Sequence, residues 1–511
     1  MSAETTKAPH GGLRIYSSLS RELTPLVPLT PGHVRMYVCG MTTYDYCHIG
    51  HARAMITFDV VYRHLLERGY AVTYVRNHTD VDDKIIARAI ENDEDPLALS
   101  QRFIEALDED LARLGLRVPT AQPKVSESIP EIIELVGKLI ERGHAYAAPA
   151  REEGLSDVYF AVESFEAYGK LSGKRLADLR AGERVDVDSR KRHPGDFALW
   201  KAAKPGEVSW ESPWGAGRPG WHIECSAMSM AALGEGFDIH GGGIDLIFPH
   251  HENEIAQSEC GTGHAPYAKV WMHNGHLTMG EAKMSKSLGN IVRIRDILDA
   301  VPAEALRLLY LEAHYRGPLP WSSDRLTDSM VALDRLYHAK ELIEGLEALG
   351  NGPAPGDLLR DQTEAVSELI GLLQHFEGRF LAAMDDDFNT VAAITLVHEL
   401  VRSINRYGNN KKLLKKAHSL AAPAQSAFAM VGRVLGIGGG TSEQWFREVR
   451  VRRLAAIGKT EAEIQSLIDE RLGARAAKDW ARADELRLTL DGLGVVLMDG
   501  PEGTRWRMRV E

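Results

Sequence analysis

The sequence MYVCGMTTYDYCHIGHARAMITFD, residues 36–59, says more about the fold of this 511-residue chain than any other segment. Its first residues are strand formers, and Gly40 interrupts the apolar run. After His51, apolar side chains recur three and four positions apart, which predicts an amphipathic helix that Gly69 can end. A strand that leads into a helix places free backbone N–H groups and the positive end of the helix dipole at one point. The segment therefore predicts a site for an anion such as a polyphosphate.

His48 and His51 lie three residues apart at the predicted start of this helix, with Gly50 between them. Two imidazoles can contact phosphate oxygens without placing a fixed negative charge nearby, and the glycine lets a ligand approach the backbone. The alternative is that these histidines are an accident of how the helix begins.

A second motif, KMSKSLGN at residues 283–290, carries Lys283 and Lys286 beside hydroxyl groups and a glycine. A mobile loop with two ammonium groups can close on a triphosphate and neutralise the charge that develops as pyrophosphate leaves. The two motifs in this order resemble the paired signatures of class I aminoacyl-tRNA synthetases. This resemblance implies a Rossmann-like α/β catalytic domain with an α+β insertion, followed by an α-helical bundle and a small C-terminal anticodon-binding unit.

The composition limits the class of protein. Hydrophobic residues make up 44% of the chain, and a net charge of −12 means that any nucleic acid must contact a local basic face. Four scattered cysteines suit a reducing compartment, and the polar first dozen residues lack the apolar core of a signal peptide. No run of residues is apolar enough to span a membrane, so we expect a cytoplasmic protein without a membrane partner.

Further polar residues follow predicted strands, where open α/β sheets bind ligands. Thr79 follows the strand-like AVTYVRN and could face a pocket, although the neighbouring aspartates could equally cap the next helix. The glycine triplet 241–243 follows the strand-like FDIH and allows close approach of an adenosine, with Asp245 placed to accept from a ribose hydroxyl. A flexible loop is the alternative for the triplet.

Spacing alone makes only a modest case for zinc. Cys39 and Cys225 are far apart in sequence, whereas His250 and Glu254 are four residues apart and share one face of a predicted helix. The alternative is two buried thiols and a capped helix.

Segments along nearly the whole chain resemble the cysteinyl-tRNA synthetase family, among them GRPGWHIECSAM, FDIHGGGIDLIFPHHENEIAQ and AKDWARAD. The resemblance implies one active-site Zn²⁺, Mg²⁺ with ATP, and the partners ATP, L-cysteine and tRNA(Cys), with the protein acting as a monomer. It implies zinc ligands at Cys39, Cys225, His250 and Glu254. It implies a cysteine pocket lined by Thr79, Trp221 and His240. It implies an ATP site formed by His48, Gly50, His51, Gly241, Gly242, Gly243, Asp245, Lys283 and Lys286.

Zinc binds thiolate far better than a neutral hydroxyl, so we predict that cysteine is selected by zinc coordination and that no editing domain is needed. Basic and aromatic candidates for contacts with tRNA are Arg471, Arg475, Lys478, Arg482, Arg505, Trp506 and Arg507. The alternative for these residues is a solvated face with internal ion pairs. Rival functions are a cysteine:amino-sugar ligase of mycothiol biosynthesis, which would lack the C-terminal unit, and a non-catalytic RNA-binding paralogue.

The predicted organisation starts with a disordered tail (1–12) and the two halves of the Rossmann domain (13–135 and 218–270), which flank the insertion (136–217). A stem-contact region with the lysine loop (271–325), a tRNA-binding helical bundle (326–437) and the anticodon-binding unit (441–511) follow.

Overall fold

The computed structural model describes residues 12–150, 154–175, 189–204, 206–279, 282–283, 292–347, 364–408, 418–500 and 503–510. Lys286, with most of the predicted lysine loop, the linker at 350–357 and most of the N-terminal tail lie outside the described residues. Within the described part of the chain, no helix combines the length and the apolarity that crossing a bilayer requires.

A parallel sheet of four strands forms the centre of the catalytic region, in the order β10-β9-β3-β4. Its strands are β3 (His33–Val38), β4 (Ala71–Arg76), β9 (Phe237–Gly243) and β10 (Ala268–Asn274). The helices around this sheet are α1 (Ile49–Glu67), α2 (Asp83–Asn92), α3 (Pro96–Arg113), α4 (Ile129–Glu141), α5 (Trp221–Leu233) and α6 (Glu252–Thr262). The predicted strand–turn–helix of residues 36–59 is β3 followed by α1, and the predicted Rossmann-like class is confirmed.

The insertion folds as a separate antiparallel sheet between the two halves. Its strands are β5 (Ala145–Pro149), β6 (Ser156–Phe160), β7 (Phe197–Ala202) and β8 (Gly217–Pro219). Arg218 and Lys201 of this sheet both contact the carboxylate of Asp83 in α2, which joins the insertion to the catalytic sheet.

Smaller strand pairs support the edges of the catalytic region. An N-terminal hairpin contains β1 (Arg14–Ser17) and β2 (Glu22–Pro25), and a three-stranded sheet contains β11 (Leu277–Met279), β12 (Ala282–Lys283) and β13 (Leu319–Trp321). Two short helices lie between β12 and β13, α7 (Ile294–Ala300) and α8 (Ala303–Leu311).

The predicted helical bundle is present. It contains α9 (Ser323–Glu347), α10 (Glu364–Asp385), α11 (Thr390–Gly408) and α12 (Ala421–Leu435). Its apolar faces pack into the same hydrophobic core as α1, so that the bundle and the catalytic sheet share buried side chains.

The C-terminal unit consists of three helices followed by a hairpin, among the residues that the structure describes. Its elements are α13 (Ser442–Ala456), α14 (Glu461–Ala476), α15 (Trp480–Gly492), β14 (Val495–Gly500) and β15 (Gly503–Met508). Helix α14 continues through Gly473 to Ala476, and the chain then turns at Lys478, whose φ is +61°.

Candidate active site

The four residues that the family resemblance implies as zinc ligands converge in the structure. Cys39 directly follows β3, Cys225 lies in α5, and Glu254 lies in α6, one turn after His250. The backbone N–H of Cys39 donates to the carbonyl oxygen of Gly241 at 3.1 Å, which fixes the end of β3 against β9. Three segments far apart in sequence are therefore held together by the parallel sheet and the two helices that follow it.

The potential ligand atoms of these residues all lie within 4.8 Å of one another. The Cys39 sulfur is 3.7 Å from the Cys225 sulfur, 3.6 Å from His250 Nε2 and 3.5 Å from Glu254 Oε1. Cys225, His250 and Glu254 are buried, and Cys39 is partly exposed. Two sulfurs, an imidazole nitrogen and a carboxylate oxygen form a donor set that suits zinc.

A second set of donors overlaps the first and consists of Cys39, His240, His251 and Glu254. His240 Nε2 is 2.8 Å from Glu254 Oε2, and His251 Nδ1 is 2.8 Å from His273 Nε2. Both imidazoles therefore already have partners in the cluster, and this set offers one sulfur where the first set offers two.

The ionisable groups of the cluster shift one another's pKa values strongly. The hydrogen bond from the Cys39 thiol lowers the pKa of Cys225 to about 6, while burial raises the pKa of Cys39 well above its usual value. Burial opposes ionisation of Glu254, but the charges of His240 and His250 hold the pKa of this carboxyl well below its usual range. Burial opposes protonation of His250, but Glu254 and Cys225 raise the pKa of this imidazole to about 10, so a metal bound there would displace a proton.

The predicted cysteine-pocket residues border this cluster. The Trp221 ring, 38% exposed, stacks on His250 with the ring centroids 4.4 Å apart. Buried His240 contacts Glu254 and stacks on Trp271 at 4.3 Å. Thr79 is buried, and its hydroxyl lies 3.3 Å from Asn77 Nδ2. Trp221 and His240 therefore contact candidate ligands directly, and Thr79 is linked to Cys225 through Asn77.

Several residues of this site were not predicted from the sequence. His251 Nε2 is 3.4 Å from the Cys39 sulfur, and His222 Nδ1 is 3.1 Å from His250 Nδ1. The amide oxygen of Asn77 accepts from the backbone N–H of Gly40 at 2.8 Å and lies 3.8 Å from the Cys225 sulfur. The sequence signal that could have pointed to His251 was its position beside His250 in PHHENE. In the structure both histidines are buried.

His48 and His51 lie at the N-terminus of α1, as predicted, with their rings stacked at a centroid distance of 3.6 Å. The expectation of free backbone N–H groups there is wrong, because His48 Nδ1 accepts from the N–H groups of Gly50 at 3.1 Å and His51 at 3.3 Å. Ile49 N–H donates to the carbonyl oxygen of Val292 at 3.0 Å. The imidazoles cap the helix, so any anion would be bound by the rings and the helix dipole.

The chain that follows the lysine motif pairs directly with this helix start. Ile294 N–H donates to the carbonyl oxygen of Cys47 at 3.0 Å. The backbones of His48 and Arg293 form an isolated antiparallel β-bridge. On the other side of the motif, Lys283 pairs with Thr278 of β11. Of the described residues around the lysine motif, Ile294 is therefore fixed by the histidine helix and Lys283 by β11.

The glycine triplet forms the end of β9 and is not a flexible loop. A Cβ on Gly241 would meet the Phe58 ring at 2.3 Å, and one on Gly242 would meet His251 at 2.7 Å. A Cβ on Gly243 would meet the carboxylate of Asp245 at 2.6 Å, and Asp245 is exposed just beyond the strand. The first two glycines are thus required for packing in the sheet, while Gly243 and Asp245 lie at its open edge.

The predicted tRNA contacts divide into two groups. Arg471 is 6% exposed and bonds the Asp499 carboxylate at 3.0 Å, Trp506 is 9% exposed, and Arg507 contacts Glu341 and stacks on Phe446. These three side chains support the fold of the C-terminal unit.

The other predicted contacts face solvent. Lys478 and Arg505 are exposed and take part in no ion pair with the described residues. Arg475 is 42% exposed although it pairs with Asp499, and Arg482 is 41% exposed although it pairs with Glu470. Trp480, which was not predicted, is 60% exposed at the start of α15.

Solved structures with the same fold are class I synthetases. Methionyl-tRNA synthetase from Mycobacterium tuberculosis, in complex with methionyl-adenylate, aligns with a TM-score of 0.61 at 14% identity over 83% of this chain and 96% of that chain. The leucyl enzyme in a ternary complex from Agrobacterium radiobacter aligns with a TM-score of 0.58 at 12% identity, covering 83% and 86% of the two chains. At these identities the likeness establishes the fold alone, which is that of a class I aminoacyl-tRNA synthetase.

Sequence comparisons identify the family within this class. Residues 25–331 match the tRNA synthetases class I (C) catalytic domain, residues 379–437 the DALR domain, and residues 458–507 the cysteinyl-tRNA ligase anticodon binding domain. The cysteine–tRNA ligase of Geobacter metallireducens is 49% identical over 97% of this chain and all of its own length. That of Thioalkalivibrio sulfidiphilus is 50% identical over 97% of this chain and 99% of its own. The chain belongs to the cysteine–tRNA ligase family, and the match to the anticodon binding domain disfavours the amino-sugar ligase.

Proposed function

We propose that this protein activates L-cysteine with ATP to cysteinyl-adenylate and transfers the cysteinyl group to tRNA(Cys), releasing pyrophosphate and AMP. The observation that carries the proposal is the convergence of Cys39, Cys225, His250 and Glu254 at the carboxyl end of the central sheet. Ligands of open parallel sheets bind at this end, and the histidine helix begins there too.

Zinc fits this cluster, with Cys39, Cys225, His250 and Glu254 as the residues that would hold it. We favour them over the overlapping set because two sulfurs match a borderline-soft metal better than one. Zinc, when bound, supplies a Lewis acid to which the substrate thiolate adds and the protonated hydroxyl of serine does not. The hydrogen bond between His222 and His250 would orient the imidazole ligand, as partners of metal-bound histidines do.

Selection at this site needs no editing. A satisfied polar contact can discriminate by about 10⁴–10⁵, whereas an apolar pocket discriminates by only about 10–200 per methylene. Trp221, Thr79 and His240 line the cysteine pocket in this proposal, because each of them borders the cluster. Serine would lose this discrimination contact, because zinc binds its protonated hydroxyl poorly.

For activation, the cysteine carboxylate attacks the α-phosphate of Mg·ATP. His48 Nδ1 accepts backbone N–H groups, so the neutral imidazole carries its proton on Nε2, which is then a donor to phosphate oxygens. Gly243 and Asp245 would form the adenosine side of the proposed ATP site, while the buried Gly241 and Gly242 shape the strand beside it and Gly50 lies at the start of α1. Lys283 and Lys286, together with His51, would stabilise the charge of the leaving pyrophosphate.

Exposed basic residues of the C-terminal unit would contact the anticodon arm. We place Arg475, Lys478 and Arg505 in this role, because cations in solvent can reach phosphates at little desolvation cost. Trp480 adds an exposed ring on which a base could stack. The division of labour follows the predicted domains, with activation by residues 13–325 and tRNA binding by 326–437 and 441–511, in a monomeric cytoplasmic enzyme.

The decisive experiment is charging of bulk tRNA with labelled cysteine and Mg·ATP, with labelled serine as the matched control. Cysteinyl-tRNA without seryl-tRNA is the expected result. Cysteine-dependent pyrophosphate exchange without charging would contradict the transfer step.

Two further assays test the other parts of the proposal. Full activity of a folded Lys286→Ala variant would contradict the role of the lysine motif. Deacylation of mischarged Ser-tRNA would contradict the absence of editing.

A further inference from the structure

We propose that Asp387 is a positioning residue for both phosphate-handling motifs, acting through Tyr315 and Arg316 from the turn between α10 and α11. The inference rests on the proposed function, because it concerns how the helical bundle fixes the histidine and lysine motifs. None of its contacts lies in the candidate metal cluster.

The turn that carries Asp387 has an unusual backbone. Asp387 and Phe388 have φ values of +59° and +52°, and both are almost fully buried. Non-glycine residues rarely adopt this region, and a bulky residue such as phenylalanine does so at a cost. Such a conformation persists only where surrounding contacts hold it, so the partners of Asp387 indicate what the turn serves.

Both carboxylate oxygens of Asp387 are bound by the catalytic region. One accepts from the Tyr16 N–H at 2.9 Å and the Tyr315 hydroxyl at 2.8 Å. The other accepts from Arg316 Nε at 2.7 Å and lies 3.7 Å from His314 Nε2. A single buried carboxylate of the bundle thus fixes three consecutive residues, 314–316.

Those residues in turn support the lysine motif. The carbonyl oxygen of Tyr315 accepts from the Gly275 N–H at 2.8 Å, and that of His276 accepts from the Leu319 N–H at 3.1 Å. These bonds start the pairing of β13 with β11, and β11 pairs with the strand that contains Lys283. A shift of residues 314–316 would therefore reach β11 and, through it, the strand β12 that ends at Lys283.

The same segment supports the histidine motif through Arg53, which is 1% exposed and lies five residues after His48 in α1. The Arg53 guanidinium donates to the carbonyl oxygens of His276 and Gly317 and lies 3.5 Å from that of Tyr315. The backbone carbonyls of Tyr315 and Gly317, on either side of Arg316, thus link α1 to the segment that pairs with β11. Asp387 holds Arg316 in place through its hydrogen bond to Nε.

The neighbouring Asp386 provides a matched control. Its carboxylate pairs with Arg14 at 2.6 Å, and both side chains are about half exposed. Asp386→Asn removes a charge from the same turn and leaves in place the hydrogen bonds of Asp387 to Tyr315 and Arg316.

The test is cysteine-dependent pyrophosphate exchange by the full-length protein, with rates normalised to active sites by the burst of adenylate formation. Wild type is measured first, because its failure to exchange would overturn the proposed function and not this inference. For Asp387→Asn we expect kcat per active site to fall roughly 10- to 100-fold, with the KM for cysteine unchanged. We expect Asp386→Asn to retain the wild-type kcat.

Arg316→Gln tests the same link from its other end, and it is the variant to use if Asp387→Asn does not fold, because the Arg316 side chain is 41% exposed. We expect it to lower kcat in the same way, Arg316→Lys to recover part of the loss, and the double variant to be no slower than Asp387→Asn. A wild-type kcat per active site in either single variant, or an equal loss in Asp386→Asn, would overturn the proposal.

Discussion

The metal-candidate cluster and the C-terminal unit both consist of polar residues that the sequence marked as functional, yet the structure uses them differently. In the cluster, ligand atoms from distant segments approach within 4.8 Å of one another in the interior. In the C-terminal unit, Arg471 and Arg475 both pair with Asp499, and Arg507 pairs with Glu341. Side chains of the metal-candidate cluster converge on one point, whereas several arginines of the C-terminal unit form ion pairs with carboxylates of the same chain.

The difference follows from the cost of burial. Removing thiols, imidazoles and carboxylates from water is expensive, so a buried group of them indicates a compensating ligand or network. An ion pair between a surface arginine and a nearby carboxylate changes the free energy of folding only slightly. The predicted interior residues therefore converge in the structure, whereas several predicted surface residues pair within their own chain, and the following experiments test the function of both groups.

The largest effect is expected for Cys225→Ser. A hydroxyl is a poor zinc ligand, so metal affinity should fall by at least about 10²-fold and cysteine activation should be lost. Metal content of the purified protein and cysteine-dependent pyrophosphate exchange measure the two effects. Cys260→Ser is the matched control, since Cys260 is also buried but lies outside the cluster. Equal zinc content in Cys225→Ser and the control would contradict the ligand assignment.

The next largest effect on metal affinity is expected at His222, which contacts the proposed zinc-binding residue His250. In His222→Ala the hydrogen bond to His250 is lost, and metal affinity should fall about 10- to 100-fold. Competition with a chromogenic zinc chelator provides the measurement. His33→Ala removes an imidazole that bonds Thr73 instead, and it should leave the affinity unchanged. Wild-type affinity in His222→Ala would show that the imidazole of His250 needs no such support.

A smaller effect is expected at the surface. Lys478→Gln should weaken tRNA binding about fivefold near 0.1 M salt. It should also lower the slope of log affinity against log salt concentration by about one, the contribution of one phosphate contact, without changing the free energy of unfolding of the protein. Arg471→Gln should instead lower the stability of the C-terminal unit, because its guanidinium is buried against Asp499. Binding isotherms at several salt concentrations and thermal unfolding separate the two outcomes. Reversed effects of the two substitutions would refute the division made here.

The smallest effect is a pH dependence at the Asp499 carboxylate. Hydrogen bonds from Arg471, Thr504 and Arg475 hold the pKa of Asp499 below its usual value. The stabilisation is therefore fully present above the unfolded-state pKa of about 4 and is lost as the pH falls toward the folded-state pKa. Its size is no more than about 1 kcal/mol, since the side chain is 44% exposed.

Hydrogen exchange of the β14–β15 hairpin, corrected for intrinsic rates, checks this expectation. Asp499→Asn should reduce protection at pH 7, and the difference from wild type should shrink as the pH is lowered below 4. A difference that grows with acidification would contradict the sign of the linkage.

The sequence by itself determined the first elements of the catalytic region and the residue types of the candidate site. Strand formers followed by Gly40 and a period near 3.6 specified β3 and α1, because local propensity and amphipathicity are readable over a few residues. The two phosphate motifs and the family resemblance specified the candidate ligands by residue type. The four-residue spacing of His250 and Glu254 was sufficient to place them on one helical face.

Tertiary structure alone decided what each polar residue contacts. No local pattern shows that His251 lies 3.4 Å from the Cys39 sulfur, that His48 caps its own helix, or that Asp387 fixes Arg316. These contacts join residues through the packing of sheet, helices and bundle, and partners separated by many residues leave no periodicity in the sequence. The same holds at the surface, where only the fold showed that Arg471 is buried against Asp499 while Lys478 faces solvent.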